Sequence, residues 1–189
     1  MPYVRCPTCD LTTYTTGTPY GRDRCPGCDA ELPRRDVPRQ DPIESVLRLA
    51  RRELDMDAAF LGEITASEEI IRNVSGPVER FQLAQGMKIP LDDTVCRAVL
   101  EGRLPNVLQD LADDPACAAL GLPRSPEVRA YIGVPLSTRD ARRYILCCLA
   151  RERRPELSSR DLHFLQGLAE SARLALDEQA ERLARSHDE

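Results

Sequence analysis

The residues of this chain best suited to chemistry are its eight cysteines, which fall into two groups of four. The first group, Cys6, Cys9, Cys25 and Cys28, has the spacing C-x2-C-x15-C-x2-C. Each C-x-x-C turn brings two thiolates to one side of a tight loop whose amides can hydrogen-bond the sulfurs. Two such turns supply the tetrahedral ligand set of zinc. A set made only of thiolates leaves no open position for water, so the expected metal is structural, one zinc per chain. A duplicated C-x-x-C with no βαβ pattern around it does not fit a thioredoxin-like redox pair. About 30 residues bury too little apolar surface to fold alone, so the metal is expected to supply much of the folding free energy.

The second group is Cys96, Cys117, Cys147 and Cys148. Cys96 falls in the first turn of a predicted helix, where amide dipoles lower a thiol pKa, but Asp92 and Asp93 beside it act the other way. It also shares an apolar stripe with Val95, Val99 and Leu100, so a small core residue is the competing reading. Cys147 and Cys148 are adjacent on a predicted strand and point to opposite faces, so only one can line a pocket. Cys117, in the polar segment DDPACAAL, is expected to be the most exposed and mobile thiol. A redox switch would pair Cys96 with Cys117. The two histidines, His163 and His187, fall on the closing helix or its tail and read as surface or interface residues rather than ligands.

Composition bounds what surrounds these thiols. The chain has 189 residues, 42% hydrophobic and 30% charged, which suits one ordinary domain with a small appendage. Its longest apolar run, Tyr144 to Ala150, is far short of the ~20 residues of a membrane span. No apolar stretch follows the first positive charge, so no secretory signal is expected and the reducing cytoplasm is the expected compartment. Residues 1–42 are charge-neutral and the net charge of −5 lies in the remainder. Neither part carries the basic surplus that drives nucleic-acid binding.

The elements that must position the thiols follow from local pattern. Between the two C-x-x-C turns, Gly17 and Pro19-Tyr20-Gly21 suit a short hairpin. Residues 1–32 resemble a zinc ribbon; such ribbons often hold a protein partner or nucleic acid, and the charge balance favours protein. Residues 33–42, PRRDVPRQDP, read as a semi-rigid linker. Asp41-Pro42-Ile43-Glu44 predicts a helix start at Pro42, with Ile43, Val46, Leu47, Ala50 and Leu54 on its buried face. Strands are predicted at 58–65, 69–75, 106–110, 128–136 and 143–150. A short helix is predicted over about 93–101, capped by Asp92, and a long one from the capping box at Ser158–Asp161 to about residue 185. Terminal helices around such strands predict an α+β domain with a mainly antiparallel sheet.

At this point GMKIPLDDTVCRAVLEGRLPNVLQDLADDP, VRAYIGVPL and YILCCLA, followed by a long helix, resemble a GAF domain over residues 43–180. The resemblance implies a six-stranded antiparallel sheet with helices on one face. It places a small-molecule pocket on the other face, roofed by 86–127 and bordered by Asp93, Cys96, Asp110, Tyr131 and Cys148. It also implies signalling to an attached effector or across a dimer. The residues lack the motifs of cyclic-nucleotide, bilin or haem GAF domains. Free methionine-(R)-sulfoxide reductases are GAF domains too, with cysteines at the equivalent helix and following loop. Here the segment after Cys117 lacks the cysteine and glutamate those enzymes place before the strand.

In the closing helix, Leu162, Leu165, Ala169, Ala172, Leu176, Gln179 and Leu183 have the three-four spacing of a seam, while Phe164, Leu168 and Ala175 form a second stripe that could pack on the sheet. The expected assembly is a parallel homodimer through residues 160–185, with packing of both stripes in one monomer as the alternative. No output domain is recognisable. The expected function is a non-enzymatic sensor: a GAF domain that binds an unidentified small molecule and a zinc ribbon that meets a protein partner. The alternatives are a thiol redox sensor using Cys96 and Cys117, and the reductase.

Overall fold

The computed structural model describes residues 3–14, 24–32, 41–120 and 127–187, and divides into two compact units, Met1–Arg39 and Gln40–Glu189. In the first unit, β1 (Tyr3–Arg5) pairs antiparallel with β2 (Thr12–Tyr14) around the first C-x-x-C turn. The second turn lies inside the isolated bridge Arg24–Glu31. Both turns repeat one pattern, Arg-Cys-Pro-x-Cys-Asp, at residues 5–10 and 24–29. The Asp10 amide donates to the Cys6 carbonyl at 3.0 Å and the Asp29 amide to the Cys25 carbonyl at 2.8 Å. Both aspartates sit at positive φ, 66° and 57°, a conformation their short polar side chains tolerate. Each carboxylate closes an ion pair with the arginine that opens its turn, Arg5 to Asp10 and Arg24 to Asp29. The hairpin expected around Gly17 and most of the expected linker, 33–40, lie outside the described residues.

The second unit opens with α1 (Pro42–Glu53), begun as the sequence predicts: Asp41 accepts the Ile43 amide at 2.9 Å and proline occupies the first turn. Then follow β3 (Ala58–Ile64), β4 (Glu68–Ser75), β5 (Lys88–Pro90), α2 (Val95–Leu100), β6 (Val107–Leu108), α3 (Pro115–Ala119), β7 (Ala130–Ser137), β8 (Arg143–Ala150) and α4 (Ser159–His187). The sheet order is β5-β4-β3-β8-β7-β6, with every neighbouring pair antiparallel. This is the expected α+β architecture. Two details differ from expectation. Strand β5 lies in a stretch that carries no strand pattern. Helix α2 is capped by Thr94, whose hydroxyl accepts the Arg97 amide at 3.2 Å, while Asp92 and Asp93 belong to a preceding 3-10 turn.

The sheet buries both faces. On one, α1 and α4 cover Leu61, Ile132, Val134, Leu146 and Cys148. On the other, α2 and α3 cover Phe60, Ile71, Tyr131, Ile145 and Cys147. Strands β3 and β8 lie at the centre, which is why they are apolar at nearly every position. Helix α4 corrects one expectation. Leu165, Ala169 and Ala172, expected to form a seam with a second copy, bury against the helix's own domain together with Ala175. The alanines let α4 lie close to β7 and α1, whereas Phe164, expected to face the sheet, is 37% exposed. In its C-terminal half α4 is tied to the β7–β8 turn by buried Asp177, which accepts the Arg139 amide at 2.9 Å and an Arg173 guanidinium nitrogen at 2.6 Å. Among the described residues no helix is long and apolar enough to cross a membrane.

Candidate functional site

The sheet face under α2 and α3 encloses a cavity of about 470 Å³. That volume lies in the range that takes a small organic molecule. Phe60 comes from β3, Glu69 from β4, Tyr131 from β7 and Leu149 from β8; Phe81, Leu83, Ile89, Val95 and Val128 complete a mainly apolar wall.

Cys96, projecting from α2, meets β7 and β8. Its sulfur is 3.5 Å from that of Cys147, and the Tyr131 hydroxyl lies 3.6 Å from Cys96 Sγ and 3.3 Å from Cys147 Sγ. Tyr131 reaches this point by folding along its own strand over Gly133, where a Cβ would lie 2.1 Å from the phenol oxygen. A glycine inside a strand marks such a close approach. The neighbouring Cys147 sulfur and burial push the Cys96 thiol well above its ordinary value. Burial, then the two thiols, does the same to Tyr131. Cys96 and Tyr131 are therefore neutral, and the lowering expected for a thiol at a helix start is overridden at Cys96.

Glu69 is a site residue the sequence does not reveal. It is 1% exposed, lines the cavity, and its Oε1 has no hydrogen-bond partner. Its carboxylate lies over Gly62, where a Cβ would come within 2.4 Å of Oε1. Burial raises its pKa from 4.5 to about 7, against the smaller opposing pull of the Cys96 thiol and the Thr94 hydroxyl.

The expected pocket residues divide. Cys96 and Tyr131 line the cavity, and Asp93 stands exposed on its wall. Asp110 does not line it; its carboxylate grips the lining residue Arg129 in a two-pronged pair, Nε at 2.8 Å and a terminal nitrogen at 2.5 Å. That guanidinium holds the Asp110 carboxyl below the usual range. Cys148 turns to the helix side with Leu146 and Ala150, and its strand neighbour Cys147 takes the cavity side. Cys117 is corrected from exposed to buried, 9% accessible. Asp114 accepts the amides of Ala116 and Cys117, and the short helix this caps places Cys117 on the cavity wall. The near thiol of Cys96 is thus Cys147.

In the first unit the Cys6, Cys9, Cys25 and Cys28 sulfurs all lie within 4.8 Å of one another. Cys6 and Cys28 are 3.6 Å apart, Cys9 and Cys25 3.4 Å. Four sulfurs around one ion at about 2.3 Å would be about 3.8 Å apart, so the set fits a tetrahedral metal. The amides of Cys9 and Thr8 draw the Cys6 thiol down to about 6, while Cys9 and Cys28 beside it are pushed up, so without a cation the clustered sulfurs do not ionise together.

No curated protein matches the chain. Solved structures match the second unit's fold. A free methionine-R-sulfoxide reductase from Neisseria meningitidis is 18% identical, covering 73% of this chain and 78% of its own, with TM-score 0.54. The GAF-B domain of DevS from Mycobacterium smegmatis is 22% identical, covering 77% and 99%, with TM-score 0.52. The GAF domain of an Acinetobacter phosphoenolpyruvate-protein phosphotransferase is 13% identical, covering 75% and 86%, with TM-score 0.57. At such identities the likeness is one of fold. The sequence model of the GAF domain matches residues 38–177, most of the chain, and together with this six-stranded sheet it makes the protein a member of the GAF domain family.

Proposed function

We propose that this protein is a sensor. Its GAF domain captures a small molecule in the cavity beside Cys96, Tyr131 and Glu69, and its cysteine module holds a structural zinc and meets a protein partner. The observation that carries this reading is the preformed cavity of about 470 Å³, apolar on most of its wall with a few buried polar groups. Native mass spectrometry of gently purified, untagged protein tests it. The expected spectrum shows one zinc per chain and a small-molecule increment that disappears when Leu149→Trp fills the cavity. A folded wild-type protein that neither retains a molecule nor is thermally stabilised by any metabolite pool would overturn it.

One observation favours a second reading, thiol redox sensing through Cys96 and Cys147, whose sulfurs are 3.5 Å apart. A hydroperoxide would accept the two thiol hydrogens, leaving a disulfide, water and an alcohol. Against rapid oxidation stand burial and the raised Cys96 pKa, since the thiolate is the nucleophile. Peroxide titration with thiol counting separates the readings: two thiols lost per chain in wild type and none in Cys147→Ser would establish the switch. The same chemistry bears on reductase activity, and the expected assay result is free methionine-(R)-sulfoxide left unreduced in the presence of a dithiol.

A further inference from the structure

The cavity wall holds a buried acid, Glu69, on which the Cys96 thiol and the Thr94 hydroxyl exert only a small pull. Glu69 Oε1 is one of two buried side-chain polar atoms left without a partner among the described residues. The nearby donors are engaged elsewhere. The Thr94 hydroxyl donates to the Leu91 carbonyl at 3.0 Å, and the Cys96 sulfur lies 3.5 Å from Cys147 Sγ and 3.6 Å from the Tyr131 hydroxyl. Arg129 is the one cationic side chain among the lining residues, and Asp110 holds it in a two-pronged pair. The other lining acid, Asp93, adds a second negative charge. A carboxylate removed from water without a donor is strongly disfavoured, and here Gly62 leaves space that any larger residue would deny it.

Building on the sensor reading above, we propose that the cavity ligand is a mainly apolar molecule bearing a protonated amino group, and that Glu69 is the residue that receives this group. Phe60, Phe81 and Leu149 enclose the apolar body, and the ammonium supplies the donors that Glu69 lacks. Cys96 and Tyr131, held neutral, add no negative charge that would compete with Glu69 for the ammonium. Anionic ligands are selected against, because the one lining cation is already neutralised by Asp110.

The test uses the full chain and a panel of matched probes, each an arylalkyl amine and the alcohol of the same skeleton, such as 4-phenylbutylamine and 4-phenylbutan-1-ol. Binding is read by ligand-observed NMR and calorimetry. A charge-assisted hydrogen bond predicts amines bound about tenfold tighter than their alcohols. In Glu69→Gln that preference should vanish while alcohol binding persists. Glu69→Asp, which keeps the charge but withdraws it by one methylene, should lower amine affinity several-fold and leave the alcohols unchanged. Alcohols binding as well as amines would overturn the assignment and leave the sensor reading standing. An amine preference that survives in Glu69→Gln and falls in Asp93→Asn would also overturn it. Failure of every probe to bind folded wild-type protein at millimolar concentration would overturn both.

Discussion

Glu69 makes the cavity costly to keep empty. Its folded-state pKa of about 7 lies above the ordinary 4.5, so the folded chain holds that proton more tightly than the unfolded chain. The resulting stabilisation is complete below about pH 4.5 and is lost as pH rises through about 7. Glu69→Gln keeps the shape and removes the charge. The ligand-free variant should exceed wild type by about 2–3 kcal/mol at pH 8, a difference that shrinks to about 1 kcal/mol or less at pH 5. Urea unfolding at the two pH values measures this, and equal offsets at both would show that the carboxylate is already paired. The residue is hard to read in sequence for a physical reason. In EEIIRNVS two acids precede two isoleucines, so alternation alone fits either face, and pairing with β3 is what turns Glu69 and Ile71 inward. Cys147 and Cys148 present the same ambiguity: β8 is apolar on both faces, so no polar residue marks which thiol shares the sheet face of Cys96. Cys96 and Tyr131, by contrast, are reached through the family resemblance, and the four clustered cysteines of the first unit through spacing alone.

Elements are more legible than the faces they present. The start of α1 follows from Asp41-Pro42, a local signal that tertiary packing did not need to override. Strand β5 escapes notice because three residues carry too little alternation to register. Helix α4 shows the limit of periodicity, which identifies an apolar stripe and not what covers it. Leu165, Ala169 and Ala172 serve the domain core, so a second copy would have to meet Phe164, Leu174 and Leu183, the exposed large apolar side chains of this helix. Where α4 passes the β7–β8 turn, Asp177 takes an amide and two arginines while remaining 5% exposed. Asp177→Ala should therefore destabilise the domain by roughly 1–3 kcal/mol, with faster amide exchange in the last turns of α4. A loss below about 0.5 kcal/mol would place this contact among ordinary surface ion pairs.

At the scale of the molecule, the two units are held together internally by different forces. The second has two extensive apolar clusters on either side of its sheet. Among the described residues the first buries Cys6, Cys25 and Leu32, and two of these three belong to the cysteine set whose geometry fits a metal. Hydrophobic burial on that scale cannot offset the chain entropy of ordering the segment. The fold of residues 1–39 should consequently depend on its ion, and that of residues 40–189 should not. Removing the metal with a strong chelator under reducing conditions should release one zinc per chain and open the first unit to proteolysis near its C-x-x-C turns. The unfolding temperature of the second unit, which has its own two apolar clusters, should stay within about 2 °C of its starting value. Cys25→Ser should reproduce the chelated state without any chelator. A first unit that resists protease after complete metal loss would mean that the Arg-Cys-Pro-x-Cys-Asp turns, with their paired arginines and aspartates, hold their geometry on hydrogen bonds alone.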